Sequence, residues 1–68
     1  MNEMQIRTRL ENAESTKFKI DYCIIGDWND VFAEISCLTR GDQDSFVIIN
    51  GELAGKTLSY CDGEFEIN

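Results

Sequence analysis

The sequence contains no histidine and no proline, and its thirteen Asp and Glu residues face only six Lys and Arg residues. Without histidine the chain lacks the side chain most often used as a general base, so acid–base catalysis would depend on carboxylates alone. The net charge of −7 also opposes direct binding of nucleic acid, whose phosphates repel an acidic surface. These absences favour a binding protein over an enzyme. We therefore predict no catalytic residue, no metal and no cofactor.

The cysteines are three in number, Cys23, Cys37 and Cys61, and they show no CxxC spacing. An odd count without histidine fits neither the usual zinc sites nor a disulfide framework, so free thiols in a reducing compartment are expected. The longest apolar runs, residues 22–25 and 46–49, are far shorter than the ~20 residues that span a bilayer. The N-terminus also lacks the apolar core of a signal peptide. A soluble cytoplasmic protein that does not engage membranes is expected.

The length of 68 residues predicts a single domain that spans the whole chain, residues 1–68. A core of this size supplies roughly 3–5 kcal/mol of net stability. It also leaves little room for a deep ligand pocket, which typically needs about 300 Å³. Repulsion among the acidic groups destabilises the fold further. A partner protein or a second copy would relieve both problems, so a homodimer remains open.

Two stretches near the N-terminus alternate between apolar and polar residues. The first runs from Met4 to Leu10 and the second from Phe18 to Ile24, with a loop at 12–15 between them. A period of two is typical of a strand with one solvated face, so these stretches predict a hairpin. Four basic residues would then share its open face: Arg7, Arg9, Lys17 and Lys19. They form either a small basic platform or ordinary solvated positions.

A helix is predicted after Gly26. Asp27 is a suitable N-cap and Asp30 stands at the third helical position, close to a capping-box arrangement. Gly41 is the expected stop, with Arg40 in the last turn, which gives about 13 residues. An apolar stripe with helical spacing supports this helix; its members are Trp28, Val31, Phe32, Ile35 and Leu38.

The last third of the chain predicts a three-stranded meander. Residues 46–49 are apolar and β-branched, as expected of a central strand, and further strands are predicted at 57–61 and 64–67. Asn50-Gly51 is a strong hairpin-turn signal. Residues 52–55 are either the start of the next strand or a wider loop.

A second two-residue turn is predicted at Asp62-Gly63. It would place Tyr60 opposite Phe65 and Leu58 opposite Ile67, with all four side chains on one face.

The predicted fold class is α+β: a single small sheet of about five mostly antiparallel strands with one helix packed on one face, in the order ββαβββ. The order of strands within the sheet stays open. Fourteen residues are predicted to be mostly buried: Met4, Ile6, Leu10, Phe18, Ile20, Tyr22, Val31, Phe32, Ile35, Phe46, Ile48, Leu58, Tyr60 and Phe65.

The acidic excess lies almost entirely after residue 20, where ten acidic residues face two basic ones. Helical spacing turns Asp30 and Glu34 away from the apolar stripe, and Asp42 and Asp44 follow just beyond the expected helix end. These four are the candidate partner-binding residues, forming an acidic ridge suited to Lys and Arg. The alternative is a solvated face that only keeps the protein soluble.

The favoured function is a small acidic binding or inhibitor domain that docks on a basic surface of a partner protein. Size and charge, by analogy alone, suggest inhibitors that phages and mobile elements direct against host nucleic-acid enzymes, of anti-restriction or anti-CRISPR type. The alternative is a module that binds nucleic acid or an acidic partner through the basic N-terminal hairpin. An enzyme is the least supported reading, because no carboxylate pair is forced into a pocket.

Overall fold

A computed structural model describes residues 1–20, 22–36 and 43–68 and shows two helices and five strands in them. The strands form one sheet in the order β2-β1-β3-β4-β5, with every neighbouring pair antiparallel. The α+β class with a five-stranded antiparallel sheet is therefore confirmed. The elements, in chain order, are α1 (Glu3–Asn12), β1 (Phe18–Ile20), β2 (Cys23–Gly26), α2 (Trp28–Ser36), β3 (Gln43–Ile48), β4 (Thr57–Cys61) and β5 (Glu64–Ile67).

The strand predicted over residues 4–10 is wrong, because these residues belong to α1. The Asn2 side chain accepts a hydrogen bond from the Gln5 N–H (2.9 Å), and the Gln5 side chain accepts one from the Asn2 N–H (3.0 Å). This capping box satisfies two donors at the helix start. Ile6 and Leu10, one helical turn apart, are both buried. The chain therefore begins with a helix, and a second helix joins the single one that was predicted.

The second predicted strand is divided into two. The chain reverses between Ile20 and Cys23, which pair with each other, so β1 and β2 form their own hairpin. The register shifts between Phe18 and Lys19, where Ile25 is an extra residue on β2. Such a bulge increases the local twist of the strands. The predicted five strands are therefore present in number, but β2 takes the place of the strand assigned to residues 4–10.

The C-terminal meander agrees with the prediction. Tyr60 pairs with Phe65 and Leu58 with Ile67, and β3 is the central strand of the sheet. Asp62 and Gly63 adopt positive φ values of 49° and 87°. Both central residues of a type I′ hairpin turn require positive φ, so the Asp-Gly sequence explains this turn.

The two-residue turn predicted at Asn50-Gly51 does not form. β3 ends at Ile48 and β4 begins at Thr57, so residues 52–55 belong to a wider loop. The Asn50 Oδ1 accepts hydrogen bonds from the N–H groups of Thr16 (2.8 Å) and Lys17 (2.9 Å). The loop therefore ties the end of β3 to the chain that enters β1.

The core lies between the helices and one face of the sheet, called here the inner face. It contains Ile6 and Leu10 of α1, the buried residues of α2, and the strand residues whose side chains lie on the inner face. Ala13 and Leu53 are buried although they were not predicted to be. The buried apolar residues are Ile6, Leu10, Ala13, Phe18, Val31, Ile35, Phe46, Ile48, Leu53, Leu58 and Phe65.

Three predicted core residues are exposed. Met4 is 78% exposed on α1, Tyr22 is fully exposed at the tip of the β1–β2 hairpin, and Phe32 is 39% exposed on α2. Ile20 and Tyr60 are half-buried against the core. Met4 and Tyr22 had been placed by a strand period that the chain does not follow there.

The described part of α2 is shorter than the 13-residue helix expected. It extends from Trp28 to Ser36. Leu38, Arg40 and Gly41, which were assigned to its last turn and stop, lie outside the described residues, as does Cys37.

Candidate partner-binding surface

The start of α2 is fixed by two aspartates. The Asp27 Oδ1 accepts hydrogen bonds from the N–H groups of Asn29 (3.0 Å) and Asp30 (3.3 Å). In return, the Asp30 Oδ2 accepts one from the Asp27 N–H (3.2 Å). The predicted N-cap and capping box are therefore confirmed. A negative charge at this position also interacts favourably with the positive end of the helix dipole.

Asp30 lies directly against the last residue of β2. Gly26 has a φ of 107°, and a Cβ built on it would collide with the Asp30 carboxylate. Only glycine combines this backbone conformation with such a close approach at little cost. The sequence thus brings an acidic side chain against the end of an edge strand.

One flank of α2 faces the middle of the molecule. The Trp28 ring contacts the Phe65 ring of β5, with centroids 5.6 Å apart, and the Trp28 and Phe32 centroids are 6.4 Å apart. β5 lies at the opposite end of the sheet from β2. The Trp28 and Phe32 flank therefore points away from β2.

The other flank of α2, called the acidic flank, carries Asp30 and Glu34. These two exposed residues are four positions apart, so they lie one above the other along the helix. Helical geometry places them on the side opposite Phe32, which is the side of β2. The helix contacts β2 and is joined to it through Asp27, and Asp30 lies against Gly26 at the end of that strand. The two predicted residues on α2 are thus brought together on one helix face, with Asp30 beside an edge of the sheet.

The other two predicted acidic residues do not lie on this helix. Asp44 is half-buried near the start of β3, where it pairs with Tyr60 and accepts a hydrogen bond from the Ser45 N–H (2.9 Å). β1 separates β3 from β2 in the sheet. Asp42 lies outside the described residues.

The basic platform predicted on the first hairpin is not formed. Arg7 and Arg9 are on α1, whereas Lys17 and Lys19 are in and beside β1. The Arg7 Nε lies 3.2 Å from a carboxylate oxygen of Glu11, one helical turn away. The four residues therefore do not share one strand face, because the first predicted strand is a helix.

Two exposed apolar residues in and before β2 were missed by the sequence interpretation. Tyr22 was placed in the core, and Ile24, at the end of the same apolar alternation, was not considered as surface. Ile24 is 71% exposed on β2 and Tyr22 precedes that strand. Ile24 pairs with Lys19, so both lie on the outer face of the sheet, opposite the helices. They are exposed because the chain reverses between Ile20 and Cys23. The sequence gives no signal for this reversal, because it has no glycine there.

The described residues contain no group of acidic or cysteine side chains arranged to hold a metal ion. Cys23 and Cys61 are free and exposed thiols. Within the described ranges, no helix has the length and apolar character needed to cross a membrane. A depression of about 190 Å³ lies between α1 and the start of α2, and a wider one of about 480 Å³ lies between α1 and the loop that carries Glu52 and Leu53. The acidic flank and the adjoining edge strand are the surface features that the charge of the chain and the strand order single out.

Comparison with known proteins identifies no relative: the chain matches no family model, no curated protein and no solved structure.

Proposed function

We propose that this protein is a small acidic binding domain that docks on a basic surface of a partner protein. The observation that carries the proposal is the acidic flank of α2. Asp30 and Glu34 are exposed, adjacent and directed away from the core. They belong to a region with ten acidic and two basic residues, so their field is not balanced by nearby sequence.

The ion pairs of the described residues leave the acidic flank uncompensated. They join the Met1 ammonium to Glu64 and Arg7 to Glu11, and neither involves Asp30, Glu34 or Asp44. Lys and Arg groups on a partner would therefore meet carboxylates that have no competing cation among the described side chains. Such charges mainly accelerate association and confer specificity, and salt weakens both effects.

An inhibitor of a nucleic-acid enzyme is the finer form of this proposal. Enzymes that hold nucleic acid present basic grooves, and an acidic domain can occupy them in place of phosphates. This class rests on size and charge by analogy. The alternative function through a basic hairpin is the less favoured one, because Arg7 and Arg9 lie on α1 and only Lys17 and Lys19 lie in or beside β1.

The test is affinity capture followed by binding measurements with matched charge variants. The binding variant carries Glu34→Lys and Asp44→Lys together with Asp30→Asn, which keeps an oxygen acceptor for the Asp27 N–H. The control carries Glu52→Lys, Glu66→Lys and Asp62→Asn at three exposed acids elsewhere in the chain, so both variants change the net charge by the same amount. We expect the binding variant to lose the captured partner and the control to retain it. Equal loss with both would show that only net charge matters, and retention by both would contradict the proposal.

A further inference from the structure

β2 is an edge strand of the sheet. It stands at one end of the strand order, and within residues 1–20, 22–36 and 43–68 its only strand partner is β1. Its residues Cys23 and Ile24 are exposed. A row of unpaired backbone groups on an edge strand is a template for pairing with another chain.

The hydrogen-bond pattern shows which groups of β2 point outward. The Ile49 N–H donates to the Lys17 oxygen (3.1 Å), so the odd-numbered residues of β1 direct their backbone groups toward β3. Ile20 therefore directs its groups toward β2, where it pairs with Cys23. Ile24 is the next residue of β2, so its N–H and C=O point away from the sheet. These groups are the ones that an added strand would use.

The two faces beside this edge differ in chemistry. On the inner side, Asp30 of the acidic flank lies against Gly26 at the end of β2, and Glu34 follows one helical turn later. On the outer side, Ile24 is exposed and Lys19 lies next to it. A strand added here would have alternate side chains beneath carboxylates and beside an isoleucine and a lysine. Basic residues fit the first set, and apolar residues fit the second because Lys19 repels a further cation.

We propose that the β2 edge binds an extended segment of the partner as an added strand, with basic and apolar residues alternating along that segment. This inference rests on the proposed function and names the chemistry of the partner. Main-chain hydrogen bonds would supply affinity and the alternation would supply specificity, as in other cases of strand addition.

A second copy of this chain is the less suitable occupant. Antiparallel pairing of two β2 strands would place both α2 helices on the same face, with their acidic flanks adjacent. Each chain carries a net charge of −7, so the like charges would oppose one another.

The test compares two synthetic peptides of identical composition. One alternates, Lys-Val-Lys-Val-Lys-Val-Lys, and the other has the same residues in blocks, Lys-Lys-Lys-Lys-Val-Val-Val. Their charge is equal, so unspecific attraction to an acidic protein is the same for both. We expect the alternating peptide to bind about tenfold more tightly, which corresponds to about 1.4 kcal/mol. Hydrogen exchange of the Ile24 amide should slow when it binds, because that N–H becomes a donor.

Variants of Ile24 separate strand addition from attraction to the helix. Ile24→Pro removes the outward N–H without removing a bond to β1, and we expect it to weaken the alternating peptide about tenfold. Ile24→Val keeps both the N–H and an apolar β-branched side chain on the outer face and is the matched control, so it should bind nearly as the native protein does. Melting curves followed by Trp28 fluorescence verify that both variants fold.

Several outcomes overturn the inference and leave the proposed function standing. Equal affinity for the two peptides is one, and unchanged exchange at Ile24 on saturation is another. A third is loss of peptide binding in Glu34→Lys together with native binding in Ile24→Pro, which would assign docking to the helix surface alone. A second copy as occupant would appear as dimerisation of the native protein that Ile24→Pro abolishes, and this too contradicts a basic segment.

Discussion

The two edges of the sheet differ in whether their outward backbone groups have hydrogen-bond partners among the described residues. At the β5 edge, the Met1 ammonium donates to the Phe65 oxygen (2.8 Å), and the Phe65 N–H donates to the Met1 oxygen (2.8 Å). Met1 also pairs with Glu64 across 3.3 Å. The N-terminus thus occupies the backbone groups that an added strand would need. At the β2 edge, no backbone group of the described residues does so.

The difference extends to the side chains. On β5, Phe65 is 2% exposed and packs against the rings of Trp28 and Tyr60. On β2, Ile24 is 71% exposed, and Ile25 is the residue of this strand that packs against the core. Proteins usually protect their edge strands because exposed ones promote association. Among the described residues, protection of the β5 edge and exposure of the β2 edge is the contrast that supports the proposed strand addition at β2.

The largest effect is expected from truncating the phenylalanine that anchors β5. Phe65→Ala should lower the free energy of unfolding by about 3–5 kcal/mol, because it leaves a cavity in the core. Phe32, on the helix beside β2, is 39% exposed, so Phe32→Ala should cost less than about 2 kcal/mol. Urea titration of both variants measures the difference. Equal costs would show that α2 packs more deeply than its exposure indicates.

The sequence was sufficient to predict the C-terminal half of the sheet, because its turn requires particular residues. The turn at Asp62-Gly63 needs positive φ at two positions, and few other residue pairs meet that need. Once this turn is placed, the apolar alternation on either side determines the register. For the same reason Asp27, a short acceptor before an apolar stripe, located the start of α2.

The N-terminal half was misjudged because two periods coincide there. Ile6 and Leu10 fit both a strand with period two and a helix with spacing of four, whereas the burial of Ala13 fits only the helix. The signal that distinguishes the two is Asn2 followed by Gln5 at the third helical position, which is the pattern of a capping box.

The candidate site could be predicted only in part from the sequence, for a different reason. Asp30 and Glu34 share a helix face by local spacing, so the sequence places them together. Their position beside an open edge depends on which strand ends the sheet, and strand order is set by contacts distant in sequence. The reversal between Ile20 and Cys23 that creates this edge has no glycine or Asn-Gly signal.

Gly26 and Gly63 allow a matched test of the close approach at the β2 edge. Both have positive φ, 107° and 87°, but a Cβ at Gly26 would collide with Asp30, whereas a Cβ at Gly63 would meet open space. Gly26→Ala should therefore cost about 1–3 kcal/mol, from strain together with disruption of the capping box. Gly63→Ala should cost about 1 kcal/mol from strain alone. The order is checked by thermal melting, and a reversed order would mean that Asp30 does not lie against β2.

The two helix caps offer a comparison of smaller size. Asn2→Ala and Asp27→Ala should each cost about 1 kcal/mol, because each removes acceptors for helical N–H groups. Asn2 follows the residue that covers β5, so its loss should also speed hydrogen exchange at the Phe65 amide. Asp27→Ala should leave that amide unchanged. If neither substitution affects Phe65, the N-terminus holds the β5 edge independently of the α1 cap.

The smallest effect is expected at the open edge itself. Ile24→Thr should change the free energy of unfolding by less than about 0.5 kcal/mol, because Ile24 is 71% exposed and threonine retains the β-branched shape that suits a strand. Its backbone groups point outward, so no bond to β1 is altered. Val47, half-buried on the outer face of β3, is the reference position at which the same replacement by threonine should cost more. Chemical denaturation of both variants measures the pair. A cost at Ile24 that reaches that at Val47 would mean that this part of β2 is covered in the folded protein, and the contrast between the two edges of the sheet would then disappear.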